Sequence, residues 1–291
     1  MHLTKHHGLG NDFCVAFVDA VPAQAADLAR AICHRTRGVG ADGLIFATSS
    51  TAVGIDVVMH LFNADGSAAA ISGNGIRCLA QAVWARHGEA QPGTGRLSIE
   101  SGGRLYGLDL VSWAPPEAAI AVDMGPVTID AEPAPVRELV RPEVGVVAAS
   151  TASVGNPHLV IAVDELSAVD VATDGPAIEA HWLPGGINVH FMVVTGPDAI
   201  ELIHWERGAG ITDACGSGAS AAATVAHRWG LVGERVAVTM PGGRAEVLVG
   251  EHATLIGPAV HIADIDIDPQ IHGVQAIDPI AVLDTAGADR G

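Results

Sequence analysis

Lysine is almost absent from this sequence, and the shortage limits what the chain can bind. Lys5 is the only lysine, and 15 basic residues stand against 33 acidic ones, which gives a formal net charge of −18. A protein that binds nucleic acid or an anionic membrane needs a basic surface that neutralises phosphates. The composition therefore argues against both partners and leaves a small molecule as the expected ligand.

Long apolar runs and cysteine pairs are also missing. No apolar run reaches the roughly 18 residues of a membrane-spanning helix, and the first residues lack the apolar core of a signal peptide. The histidines show no metal-ligand spacing such as HExxH. We therefore expect a cytoplasmic protein without a metal. The cysteines are too few and too scattered for a disulfide framework, and none of them forms a CxxC metal pair. They are Cys14, Cys33, Cys78 and Cys215.

What is present indicates a folded protein made mostly of strands. The 291 residues are 49% apolar, which is enough for one large domain or two ordinary ones. Short alternating segments, as at 55–62 and 187–194, predict strands. Two segments, 73–86 and 216–229, are Ala-rich and nearly uncharged, which predicts helices that are buried on every side.

The same series of motifs surrounds both predicted helices. A Gly-Asn pair comes first, then an x-Gly-x-Gly helix start at Ser72 or Cys215, and then a Gly-Gly turn. Asn11 precedes Ser72 by 61 residues, and Asn156 precedes Cys215 by 59. A duplicated unit explains this recurrence. We therefore predict an α+β fold of two pseudo-symmetric β-barrel-like domains, each wrapped around a central helix.

The duplication also predicts where the domains divide. The first domain is expected over 1–116 and the second over 117–262, with a linker near 113–117 (WAPPE). The acidic segment 263–291 is expected to return partly as a strand to the first half or to be disordered.

Cys215 begins the second helix, where free backbone N–H groups and the helix dipole favour negative charge. This setting predicts a lowered pKa for the Cys215 thiol. The N–H groups of Gly216 and Ser217 are suited to hold a substrate carboxylate. Arg207 offers a planar fork for a carboxylate, and Glu206 can accept an ammonium group. Together these residues predict the binding of an amino acid.

Ser72 occupies the corresponding place in the first half. Two helix starts that face one carboxylate would stabilise the charge that develops when the α-proton leaves. One group would take the proton from one face, and the other would return a proton to the opposite face. We therefore predict racemisation without a cofactor, with Cys215 and Ser72 as the acid/base pair. His158 is either a residue that orients this pair or a core histidine.

These motifs together resemble the diaminopimelate epimerase family from Lys5 to about Ile262. The resemblance implies an isomerase that interconverts LL- and meso-diaminopimelate for lysine and peptidoglycan synthesis, without metal or pyridoxal phosphate, and often as a homodimer. The matching stretches are HGLGNDF (7–13), RGVGADGL (37–44), FNADGS (62–67), GNGIRC (73–78), GNPH (155–158), GINVHFM (186–192) and ERGAGITDACGSGASAAA (206–223). The substrate ligands that the resemblance implies are Asn11, Asn63, Gly73, Asn74, Asn156, Asn188, Glu206, Arg207, Gly216 and Ser217.

One departure from the family pattern concerns catalysis directly. The family has a second cysteine where this sequence has Ser72, and a hydroxyl is a far weaker acid than a thiol. Three hypotheses remain open: Ser72 is a natural but slower partner, it is an engineered inactivation, or the chain is a diverged binding protein. A related hydroxyproline or histidine epimerase is the alternative enzyme. Gly43 is a smaller departure, because some members carry glutamine there.

Overall fold

Strands make up most of the computed structural model, which describes residues 1–69, 72–88, 95–130 and 136–268. In the first part of the chain the strands are β1 (His2–Gly8), β2 (Asn11–Phe17), β3 (Gly43–Ser49), β4 (Val57–Asn63), β5 (Ala68–Ala69), β6 (Arg96–Ser101), β7 (Arg104–Ala114) and β8 (Glu117–Gly125). They continue with β9 (Thr128–Ile129), β10 (Val146–Ser153), β11 (Pro157–Val163), β12 (Asn188–Gly196), β13 (Ala199–Glu206), β14 (Gly210–Ile211), β15 (Arg235–Met240), β16 (Gly243–Leu248) and β17 (Ala253–Asp266). The helices are α1 (Ala25–Cys33), α2 (Gly73–His87), α3 (Val136–Leu139), α4 (Val171–His181) and α5 (Gly216–Arg228), with 3-10 turns at Pro142–Val144 and Leu166–Ala168.

Eight strands of the first half close into a barrel. The order is β1, β2, β3, β4, β6, β7, β8 and β17, and β17 pairs with β1 to complete the ring. The pairs β2–β3 and β4–β6 are parallel, and the remaining pairs are antiparallel. Parallel neighbours need a crossover connection. Helix α1 and helix α2 supply these two crossovers.

The second half repeats this arrangement. Its strands follow the order β10, β11, β12, β13, β15, β16 and β17, with the parallel pairs β11–β12 and β13–β15 at the matching places. Helices α4 and α5 are the two crossovers. Strand β8 pairs with β17 and leads into β9, which pairs with β10 and completes the ring. The predicted fold class, two pseudo-symmetric barrels around central helices, is confirmed.

Strands β8 and β17 belong to both barrels and join them. β17 pairs with β16 near its start, with β8 in its middle and with β1 at its end, where His2 lies opposite Asp266. The predicted linker at 113–117 is wrong, because Trp113 pairs with Ala118 across a hairpin turn that Pro115 and Pro116 form. The division of domains at residue 116 stays a prediction. Of the tail predicted over 263–291, the part from 269 onward lies outside the described residues.

Helices α2 and α5 are buried inside their barrels, as the Ala-rich sequences predict. In α2 every residue from Asn74 to Trp84 is buried, and α5 buries most of its length. Small side chains allow the strands to approach a helix on all sides. Among the described residues no helix is long and apolar enough to span a bilayer.

Candidate active site

The first turns of α2 and α5 meet where the two barrels join. Ser72 is the N-cap of α2 and Cys215 is the N-cap of α5. A Cβ atom placed on either Gly73 or Gly216 would lie 3.4 Å from the Cα atom of the other glycine. The free N–H groups of both helix starts therefore converge on one place, where they favour a bound anion.

The predicted substrate ligands of the first half lie at the barrel edge beside this place. Asn11 begins β2 and Gly43 begins β3, and these two strands are parallel. Asn63 ends the antiparallel strand β4, directly opposite Gly43. Asn63 is exposed, and its amide donates to the Ser67 hydroxyl at 3.0 Å.

The second half repeats this placement. Asn156 directly precedes β11, Asn188 begins the parallel strand β12, and Glu206 ends β13. Asn188 is buried, and its side chain bonds the carbonyl of Pro157 and the backbone N–H of Arg207. The Arg207 guanidinium is exposed and donates to the carbonyl of Gly185.

Both the oxygen and the nitrogen of the Asn74 side-chain amide form hydrogen bonds within the protein. Its Oδ1 accepts from Arg77 at 2.7 Å, and its Nδ2 donates to the carbonyl of Ala214 at 3.1 Å and to Asn11 Oδ1 at 3.4 Å. Asn11 in turn donates to Asp42. The Asn74 side chain thus ties the start of α2 to the residue before Cys215, and its backbone N–H is the group left to face a ligand.

Arg77 places a buried cation behind the start of α2. The side chain is fully buried and donates to neutral oxygens of Gly73, Asn74 and Pro258, and no carboxylate in the described part of the chain pairs with it. Burial lowers the pKa of the Arg77 guanidinium to about 10, so it stays charged at neutral pH. This charge adds to the positive potential of the helix starts.

The pKa of the Cys215 thiol differs from the sequence-based prediction. Burial raises the pKa of Cys215 well above its ordinary value, and the Glu206 carboxylate raises it further. The Gly218 N–H and the Ser217 hydroxyl act in the opposite direction, as a helix start should, but they do not prevail. The predicted lowering is therefore wrong, because the thiol is buried beside the Glu206 carboxylate. The raised pKa keeps Cys215 a protonated thiol at neutral pH, and its Sγ atom lies 3.7 Å from the Ser217 hydroxyl oxygen.

Ser72 has simpler surroundings. Its hydroxyl oxygen accepts the N–H of Gly75 at 3.0 Å, and no other side-chain hydrogen bond of Ser72 occurs among the described residues. The nearest atoms to a Cβ on Gly75 belong to Ser72, Ile45 and Phe13. No base in the described part of the chain is therefore bonded to this hydroxyl. Cys78 does not replace it, because burial raises the pKa of the Cys78 thiol to about 12.

A cluster of buried histidines lies under the Cys215 side of the site. His158 Nε2 lies 2.9 Å from Asn156 Oδ1, which can only accept, so His158 donates. His158 Nδ1 then accepts from His190 Nε2, also at 2.9 Å. His158 therefore hydrogen-bonds Asn156 on one side and His190 on the other, and its orienting role stays a prediction. Burial lowers the pKa of His158 to about 3 and keeps the ring neutral.

His190 and His204 were not predicted as part of the site. The spacing that reveals them is Asn156-x-His158, Asn188-x-His190 and His204-x-Glu206, because residues two apart on a strand share one face. Among the described residues, no three or more His, Cys, Asp or Glu side chains form a cluster that could bind a metal ion.

Comparison with known proteins agrees with this geometry. The family model for diaminopimelate epimerase matches residues 3–129 and 150–262. The chain belongs to the diaminopimelate epimerase family. A relative named diaminopimelate epimerase from Erythrobacter litoralis is 39% identical over 267 residues, which is 88% of this chain and 93% of the relative. One from Desulfitobacterium hafniense is 37% identical over 279 residues, covering 90% and 96%.

Solved structures share the fold of this family member at low sequence identity. A hydroxyproline epimerase from Agrobacterium vitis, with bound trans-4-hydroxy-L-proline, superposes with a TM-score of 0.66 at 17% identity, covering 96% of both chains. A phenazine biosynthesis protein from Bacillus anthracis gives a TM-score of 0.71 at 13% identity, covering 92% of this chain and 98% of its own. At these identities the likeness concerns the fold.

Proposed function

We propose that Cys215 and Ser72 are the two acid/base groups with which this diaminopimelate epimerase inverts its substrate. The contact between Gly73 and Gly216 carries the proposal, because it brings both N-cap residues to one anion-binding place. A carboxylate bound there would have its α-carbon between a thiol and a hydroxyl. The isomerase activity of the family needs such a pair of groups on opposite faces.

The reaction then proceeds in two proton transfers. The Cys215 thiol gives its proton to Glu206, and the resulting thiolate removes the α-proton from one face of the substrate. The Ser72 hydroxyl delivers its proton to the opposite face. Before the next turnover the resulting alkoxide regains a proton from solvent, and Glu206 releases to solvent the proton that it took from Cys215. In the reverse direction the two groups exchange roles. The helix starts and the Arg77 cation stabilise the charge that passes to the carboxylate during the transfer.

The remaining groups hold the two ends of the substrate. The backbone N–H groups of Gly73, Asn74, Gly216 and Ser217 bind the reacting carboxylate. Exposed Asn63 and Arg207 and the strand-edge asparagines Asn11, Asn156 and Asn188 bind the polar groups of the distal end, with Glu206 between the two. His158 supports this set by fixing the amide of Asn156. No cofactor is needed for this chemistry.

Exchange of the substrate α-hydrogen with solvent tests the assignment. In D2O the unchanged protein is expected to convert LL-diaminopimelate to the meso form with deuterium at one α-carbon. Cys215→Ala is expected to lose both inversion and exchange, by at least about 10³-fold. Ser72→Ala is expected to lose inversion while Cys215 still catalyses exchange on its own face.

The same experiment has a control and a contradicting outcome. Thr224→Val removes a hydroxyl that bonds a carbonyl within α5, away from the site, and is expected to leave both rates unchanged. Undiminished exchange in Cys215→Ala would show that another group moves the proton.

We further propose that the protein works as a homodimer in the cytoplasm. The family resemblance supports this assembly, and each chain holds both N-cap residues of its own site. Sedimentation at the concentrations used for activity measurements tests the proposal, and a monomer at those concentrations would contradict it.

A further inference from the structure

A chain of hydrogen bonds leads away from Cys215 into the second barrel. The Glu206 carboxylate lies close enough to the Cys215 thiol to raise its pKa, and it accepts the hydroxyl proton of Thr212. His204 Nε2 lies 2.9 Å from the same hydroxyl oxygen. Because the single hydroxyl proton of Thr212 goes to the carboxylate, the oxygen of Thr212 must accept from His204. The order of donation is therefore His204, Thr212, Glu206.

We propose that Thr212 and His204 are positioning residues of the epimerase, which hold the Glu206 carboxylate where it receives the Cys215 proton. The inference rests on the proposed function, since it assigns the orientation of Glu206 to two residues that do not touch substrate. Thr212 fixes one carboxylate oxygen, so the carboxylate cannot rotate away from the thiol. His204 fixes the Thr212 hydroxyl in the direction that donates to Glu206.

Packing alone does not account for a histidine at position 204. The side chain is 1% exposed, and its Nδ1 atom has no hydrogen-bond partner among the described residues. A buried polar atom without a partner destabilises a fold by about 1–3 kcal/mol. The matching position of the first barrel holds Leu61, because Leu61 pairs with Ile45 as His204 pairs with His190. An apolar side chain therefore fits this layer without that penalty.

Burial, the Thr212 hydroxyl and the Cys215 thiol act on the pKa of Glu206. The titratable side chains on its own strand, next to it in sequence and on the paired strand are His204, Arg207 and His190, and the variants tested leave Arg207 and His190 unchanged.

The nearly isosteric Thr212→Val tests the proposal, with Thr212→Ser, which keeps the hydroxyl, as its matched variant. Loss of the hydroxyl bond is expected to lower kcat by about 10- to 100-fold, the range for a hydrogen bond to a charged group. The same loss raises the pKa of Glu206, so the acid limb of the kcat/KM pH profile is expected to move to higher pH. Thr212→Ser keeps the donor and is expected to restore both the rate and the profile.

His204 is tested by two replacements. His204→Leu introduces the residue of the first barrel and is expected to lower kcat about 3- to 10-fold while the melting temperature stays equal or rises. His204→Gln keeps an N–H donor and is expected to recover most of the rate. A merely structural histidine would instead give a lower melting temperature in His204→Leu and an unmoved pH profile.

The outcomes separate this inference from the proposed function. If Cys215→Ala loses exchange but Thr212→Val changes only KM, or leaves the acid limb in place, the positioning role is overturned and the acid/base assignment stands. If Thr212→Ser is as impaired as Thr212→Val, the hydroxyl is not the determining group. Thr224→Val serves again as the control for a lost threonine hydroxyl.

Discussion

The two barrels share one strand topology, but the side chains beneath their helix starts differ. They are apolar in the first barrel and histidines in the second. At the matching strand positions the pairs are Phe13 with His158, Ile45 with His190, and Leu61 with His204. All six side chains are buried. The first barrel thus backs Ser72 with hydrocarbon, and the second backs Cys215 with hydrogen-bonding rings. The two helix starts are thus alike, while the buried side chains beneath them differ.

This contrast assigns different tasks to the two sides of the site. The Cys215 side holds the Glu206 carboxylate, which accepts from the Thr212 hydroxyl, and His204 donates to that same hydroxyl. The Ser72 side offers its hydroxyl to the substrate from an apolar setting with no bonded base in the described residues. We therefore expect proton transfer at Ser72 to limit turnover.

Ser72→Cys should give the largest change in this comparison. A thiol is a much stronger acid than a hydroxyl, so the slower proton transfer is expected to become faster and kcat for LL-diaminopimelate to rise about 10- to 100-fold. Steady-state turnover measures the effect. Ser112→Cys on exposed β7 is the control for an added thiol. An unchanged kcat in Ser72→Cys would show that this face does not limit the reaction.

His158→Phe makes the second barrel resemble the first at one position. Asn156 would lose the ring N–H that holds its Oδ1, and we expect KM to increase about tenfold through disordered substrate contacts. The kcat should fall less than KM rises. Initial rates over a range of substrate concentrations measure this split. A pure loss of kcat would place His158 in proton transfer instead.

His190→Ile should have the smallest effect and concerns stability. Burial lowers the pKa of His190 well below 6.5, so the folded ring stays neutral while the unfolded one gains a proton as pH falls below about 6.5. Protonation of the unfolded ring favours unfolding, so the free energy of unfolding decreases as the pH falls below that value. The free energy of unfolding is therefore lower at pH 5.5 than at pH 7.5. In His190→Ile this difference is expected to be smaller by about 1 kcal/mol, because the titrating ring is gone. Denaturant unfolding at both pH values measures it, and an identical decline in both proteins would contradict the assignment.

Much of the architecture was predictable from local pattern. The glycine-rich starts of α2 and α5 and their Ala-rich bodies are encoded within short segments, and their repetition gave the two-barrel fold. The pKa of Cys215 was not predictable in this way, because it depends on burial and on a carboxylate that comes from β13. The hairpin at Pro115–Pro116 was mistaken for a linker, since prolines mark turns within a domain as well as boundaries.

The histidine layer shows a second limit of sequence reasoning. Each ring lies two residues from a predicted ligand on its own strand, but the rings become neighbours only through the pairing of β11, β12 and β13. Reading the two halves against each other, strand by strand, is the step that would have found them. The role of Asn74 likewise depended on Arg77 and Ala214, which fix its amide from two different elements.

The sharing of β17 has a consequence for biosynthesis. Because this strand completes both rings, neither barrel can close until Ala253–Asp266 has left the ribosome. The first barrel, although most of its strands are translated early, waits for β17. Fragments that end before residue 253 should leave β1 and β16 with open edges, which are prone to aggregation. The two barrels therefore share one strand and depend on it together for their closure.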